Sequence, residues 1–285
     1  DVFRVLRYVS DMLGEIASME PNTSDPGYLL RGFTGEENNT LINYAFYRDG
    51  RSVAFQSGDV ILVRGRAHNS AAIARIGDVD SQFSHIGIVH IDEQGSHWMV
   101  ESLIEDGAII NALGKSLDHH IVRAVLYRNR DADFAARAAK SIFDYVAASR
   151  VRGGKRILYD FSMRTDETRN LFCSKLVRLA FSQASEGSVI LPKYPTHIGR
   201  KNRDFLDRVG VATDLTFAPA DIDMESSFDL VAEWQDYRET ANIRLQDFTM
   251  DKIFEWMERY NYRFEETPAI KLVALLGRFS SHFSE

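Results

Sequence analysis

The chain has 285 residues, enough for one large domain with extensions or two small ones, and for a sizeable apolar core. Its 34 basic and 41 acidic residues leave a net charge of −7, which argues against nucleic acid as the main partner. A single cysteine excludes an internal disulfide and cysteine-rich zinc sites, and no apolar run reaches the roughly 18 residues that a bilayer span needs.

In chain order, Val2, Val5, Leu6, Val9, Met12, Leu13 and Ile16 recur at helical spacing. Residues 2–19 therefore read as an amphipathic helix, expected to pack its stripe on the main domain or to continue an upstream coil. Asp1 is not a methionine, so something upstream is expected to have been cleaved or left out, and an export signal or anchor could have been lost with it. Residues 20–40 carry Pro21, Pro26, Gly27, Gly32 and Gly35 and read as a loop, followed by a short aromatic patch, NYAFY. The compact part begins near Phe55, with a turn at Ser57-Gly58-Asp59 and a strand over residues 60–63. RAHNSAAIARIG reads as a short helix. SHIGIVHID and HWMVES read as two strands joined by the turn DEQG. DGAIINAL and HHIVRAVLYR supply further strands. DADFAARAAKSIFDYVAA is a helix with Phe134, Ala138, Ile142 and Val146 on one face. A loop, KRILYDFSMRTDETRN, then leads into LFCSKLVRLAF. Residues 186–230 are loop-rich, the chain from there reads as mainly helical, and Met250, Ile253, Phe254, Met257 and Tyr260 mark one helix of it. Thr267-Pro268 opens another, AIKLVALLGRF, too short to cross a bilayer but able to lie on one or pack on a neighbour. Strands grouped in the centre and bracketed by helices predict an α+β fold rather than alternating βαβ units.

The candidate chemistry centres on Cys173. Phe172, Leu176, Val177 and Ala180 recur at helical spacing, which places Cys173 in the first turn of a helix. Unpaired N–H groups and the helix dipole favour a thiolate there, and a thiolate is a nucleophile at neutral pH. The competing reading is a small buried hydrophobe. A thiol nucleophile needs a base and a third polar group to orient that base. Among eight histidines His85 is best placed, at the mouth of a strand after Phe83-Ser84, with Gly87 on the same face leaving room beside it. His90 points to the opposite face, and His97, His119, His120 and His197 read as strand-start or surface residues. Glu101 closes the next strand, about one pair away from His85 across the hairpin, and is the first choice to orient the imidazole. Asp59, Asp92 and Asp160 are weaker choices. The chain has no His-Glu-x-x-His helix, no G-x-S-x-G elbow and no phosphate-binding glycine loop, so neither a metal nor a cofactor is expected.

Taken in order, GDVILVRG, FSHIGIVHID, HWMVES, LYDF and FCSKLV resemble the circularly permuted branch of the NlpC-type cysteine peptidases, the YiiX/YebB-like or YaeF-like group. The resemblance spans roughly residues 55–235. It implies a papain-like core of antiparallel sheet packed against helices, in which the histidine strand precedes the cysteine helix. It also implies Cys173 as nucleophile, His85 as base and Glu101 as the third polar residue. Asp59, Ser84, Tyr159, Asp160 and Lys175 are then expected near the substrate. Lys175 stands where many members carry an acid, which bears on substrate choice. The expected layout is a helical leader and loop over 1–50, the hydrolase domain over 51–238 and a helical extension over 239–285. The expected activity is hydrolysis of an amide bond, first in a peptidoglycan stem peptide or a related amide or acyl substrate; the cell envelope or secretion is favoured over the cytoplasm, which stays open. Acyl transfer or action on lipids, an antibacterial effector and a binding module without turnover are the alternatives. The acyltransferase Asn-Cys-Glu-His run is absent.

Overall fold

A computed structural model describes residues 2–19, 30–31, 37–42, 44–46, 53–78, 81–117 and 121–265. The apolar run Val60-Ile61-Leu62-Val63 is buried on both sides, as a central strand requires, and forms β3 (Val60–Gly65). It follows α1 (Val2–Met19) and the short strands β1 (Leu30–Arg31) and β2 (Glu37–Ile42). After it come α2 (His68–Ala74), β4 (His85–Ile91), β5 (His97–Leu103), β6 (Gly107–Ala112), α3 (Leu113–Leu117), β7 (Ile121–Asn129) and α4 (Ala132–Arg150). The second half holds α5 (Cys173–Ala184), β8 (Thr196–His197), α6 (Asp204–Val209), β9 (Leu215–Thr216), a 3-10 turn at Pro219–Met224, β10 (Phe228–Gln235) and α7 (Thr240–Tyr260). Eight strands pair antiparallel in the order β1-β2-β10-β7-β3-β4-β5-β6, and β8-β9 form a separate two-stranded ribbon.

Alternation along the strands divides the core. Val60, Leu62, Ile86, Ile88, Val100, Val125 and Tyr127 face α4 and α5, and Cys173 belongs to this cluster. Ile61, Val63, Val89, Met99 and Leu126 face the other way, against Leu113, Leu117 and Trp234. α4 begins with Asp131 accepting from Phe134 N–H at 2.9 Å and buries small residues, Ala135, Ala138 and Ala139, toward the sheet. α7 seats Met250, Phe254 and Met257 on Ala71 of α2. Its buried Asp247 bonds Arg64 at 2.6 Å and Arg75 at 3.2 Å.

Four expectations need correction. Residues 37–40, read as loop, and 231–235, read as part of a mainly helical stretch, lie instead in β2 and β10, which pair through Ile42 and Ala232, so the leader contributes a strand to the central sheet. α1 forms as expected, but its stripe faces outward: Val2, Val5, Leu6, Val9, Met12, Leu13 and Ile16 are 48–73% exposed. The polar face docks instead. Arg7 bonds Asp223 and Tyr127, Tyr8 accepts from Arg75, and Asp11 pairs with Arg123. Strong directional contacts to buried arginines and an aspartate outweigh aliphatic burial here. Finally, the space beside Gly87 is filled by Met99, whose sulfur would lie 2.8 Å from an added Cβ. The expected helix after Thr267, and His119 and His120, lie outside the described residues.

Candidate active site

Cys173 occupies the first position of α5, with Phe172 in extended conformation as the N-cap. Leu176, Val177, Ala180 and Phe181 bury the inner face of that helix against the sheet, which sets the start of the helix against the start of β4. Across the sheet, the register Ile88↔Val100 puts Glu101 opposite Gly87 and diagonal to His85. The His85 Nε2 and the Glu101 carboxylate are 2.8 Å apart. With Nε2 engaged, Nδ1 is the nitrogen left for Cys173, whose thiol responds to both the hydrogen bond and the charge of the imidazole. Three side chains from distant segments thus meet in one line. Cys173 is 5% exposed and the His85 side chain 19%, so the pair meets solvent mainly through the imidazole.

The electrostatics of the three groups are mutual. Burial by itself pushes the Cys173 thiol up, but the hydrogen bond and charge of His85 pull it below its ordinary value, helped by Ser174 and by the Ile86 N–H. Burial disfavours charge on His85 as well, yet its bonds to Cys173 and Glu101 raise it from 6.5 to about 10. Burial works against an ionised Glu101, and the bonds from His85, Ser116 and Asn111 still hold it below the usual range. All three directions favour one state, a thiolate beside an imidazolium beside a carboxylate.

Sequence reading missed the two residues that hold Glu101. Ser116 Oγ donates to Oε1 at 2.5 Å and Asn111 Nδ2 at 3.2 Å. Asn111 stands two residues beyond Ile109, the cross-strand partner of Glu101, so the strand register would have pointed to it. Ser116 comes from α3 and left no signal.

The expected substrate residues divide. Tyr159 lies near Cys173: burial raises its hydroxyl well above 10, and negative charge at Cys173, Asp160 and Glu105 adds to that. Its ring meets Phe161 edge-on at 5.0 Å. Asp160 and Lys175 pair with each other at 2.6 Å, and the Lys175 side chain is only 2% exposed. Lys175 is therefore not free to reach a substrate. Asp59 sits at the far end of β3, where its carboxylate holds Arg128 at 2.7 Å and the Gln56 N–H, away from the cysteine. Val63, at the other end of that strand, is the partner of His85. Ser84 is buried, with its hydroxyl 3.5 Å from the Val63 carbonyl, beside β3. Asp92 binds Trp98 and its own turn, and His90 stacks on Phe143 at 4.4 Å. Among the described residues, no set of three or more His, Cys, Asp or Glu side chains converges as a metal ion would need.

An antiparallel sheet packed on helices, with a histidine strand preceding a cysteine helix, defines a permuted papain-like protein. The chain belongs to the permuted papain-like amidase family YaeF/YiiX (C92), whose sequence pattern matches residues 54–200. Among solved structures it is similar to the metalloprotein YiiX from Escherichia coli O157:H7, with 17% identity and a TM-score of 0.47 over 62% of this chain and 96% of that one. No curated protein matches it.

Proposed function

We propose that the protein is a thiol hydrolase in which Cys173 is the nucleophile, His85 the base and acid, and Glu101 the group that orients and charges His85. The observation that carries this reading is the line from Glu101 through His85 to Cys173 at the start of α5. The thiolate attacks the carbonyl of an amide. The N–H of Cys173, in the first turn of α5, is the donor for the oxyanion. The imidazolium passes its proton from Nδ1 to the departing amine, which leaves a thioester. Neutral His85 then takes a proton from water, whose oxygen attacks the thioester and restores the thiol pair.

The substrate we propose is an amide in a peptidoglycan stem peptide. Mass spectrometry of purified muropeptides incubated with wild type and with Cys173→Ala tests it. New fragments that appear only with wild type are the expected result. A panel of peptide, amide and ester substrates showing no Cys173-dependent cleavage would remove the hydrolase reading.

A further inference from the structure

We infer that the surface beside the cysteine, built from the β5–β6 turn and residues 151–158, seats on an anionic lipid bilayer. Three segments meet there. The Ile157 carbonyl accepts from Ala108 N–H at 3.0 Å, and Arg150 at the end of α4 donates to the carbonyls of Asp106 and Ala108. Three aliphatic side chains stand out from this junction: Ile104 is 40% exposed, Val151 62% and Leu158 53%. Among them lie Arg152, Lys155 and Arg156, all exposed. Residues 150–156, RVRGGKR, hold four basic side chains and no acid, within a chain whose net charge is −7. Glu105 and Asp106, in the turn, are the acidic residues of these two segments.

Aliphatic tips interleaved with cations suit a bilayer interface. The tips enter the headgroup layer while the cations meet lipid phosphates. A nucleic acid would use the cations but has no place for the aliphatic tips. The same negative charge would orient the protein on an anionic surface with this island toward the lipid. The island also adjoins the site. Leu158 carbonyl accepts from Leu171 N–H at 3.0 Å, two residues before Cys173, and Tyr159 is the next residue. Docking there would hold the cysteine at the lipid-facing edge of the protein.

Vesicle co-sedimentation tests this independently of the reaction, using the full chain carrying Cys173→Ala. The probes are phosphatidylcholine vesicles with and without phosphatidylglycerol, at low and high salt. The expected result is binding only to the anionic vesicles, weakened by salt. Lys155→Glu/Arg156→Glu should lower it at least about tenfold, and Val151→Ser, which changes no charge, should weaken it without changing the salt dependence. Circular dichroism of each variant confirms that it folds. Equal binding to both vesicle types, no binding to either, unchanged binding by the folded charge-reversal variant, or full displacement by millimolar inorganic phosphate would each overturn the inference.

Discussion

Lys175 and Asp160 form an ion pair 2.6 Å long within the first turn of the helix that begins at Cys173. Asp160 also accepts from Ser162 through both its N–H and its hydroxyl. Burial would raise the Asp160 carboxyl, and Lys175 with Ser162 brings it below its usual range instead. The pair ties the start of α5 to the segment bearing Tyr159. A cation placed two residues after the cysteine thus serves the frame of the site rather than the substrate.

Lys175→Met removes one half of a nearly buried pair. The expected loss is about 3 kcal/mol in chemical denaturation, at the low end for such a break because Ser162 still donates to Asp160. The double variant Lys175→Met/Asp160→Asn should recover part of it. A loss under about 1 kcal/mol would place the pair with exposed, weakly contributing ones.

Cys173 should react with iodoacetamide at pH 6 at least about tenfold faster than a free thiol, since its lowered proton affinity keeps thiolate present on the acid side. Alkylation rates against pH, read by mass spectrometry, check this. In His85→Ala the favourable charge is gone while burial remains, so the rate at pH 6 should fall to that of a free thiol or below. An unchanged rate in that variant would mean that His85 does not ionise the sulfur.

Activity should persist to alkaline pH and fall as pH rises through about 10, where His85 loses the proton that the leaving amine needs. Glu101→Gln removes the charge that holds this proton, so the alkaline limb should move toward lower pH. Its kcat/KM should drop roughly 10²-fold. Ser116→Ala removes one of the two donors to the far carboxylate oxygen and should cost about fivefold. A pH–rate profile of the three proteins decides it, and an alkaline limb common to all would separate Glu101 from the proton.

Two glycines should respond differently to alanine. Gly58 has φ +93°, and an added Cβ would lie 2.4 Å from backbone and side-chain carbons of Ala135 on α4. Strain and overlap together predict a loss of about 2–4 kcal/mol for Gly58→Ala. At Gly87 the overlap is with the flexible thioether of Met99, with the Val100 carbonyl at a tighter-than-usual 3.1 Å, and about 1–2 kcal/mol is expected. Thermal or denaturant melts of both variants check the order, and equal losses would contradict it.

Much of this architecture is legible before folding, because strands with period two and helices with period 3.6 write their buried faces into the chain. The hairpin of His85 and Glu101 follows from a four-residue turn, DEQG, and from pairing arithmetic. The first-turn position of Cys173 follows from the spacing of Leu176, Val177 and Ala180. Amphipathicity showed that α1 is a helix but not which face would dock, since Arg7, Tyr8 and Asp11 find their partners 67 or more residues away in sequence.

The sequence alone determined the order of the central strands and of the helices α4 and α5, the permuted placement of histidine before cysteine, and the residue types able to do thiol chemistry. Tertiary structure decided which polar groups met: Ser116 and Asn111 on Glu101, Lys175 on Asp160, Met99 against Gly87, Asp59 at the far end of its strand. The physical reason is range. Local periodicity reports how a segment turns and which side it buries, whereas a hydrogen bond between segments depends on register and helix placement, which emerge only when the whole sheet closes.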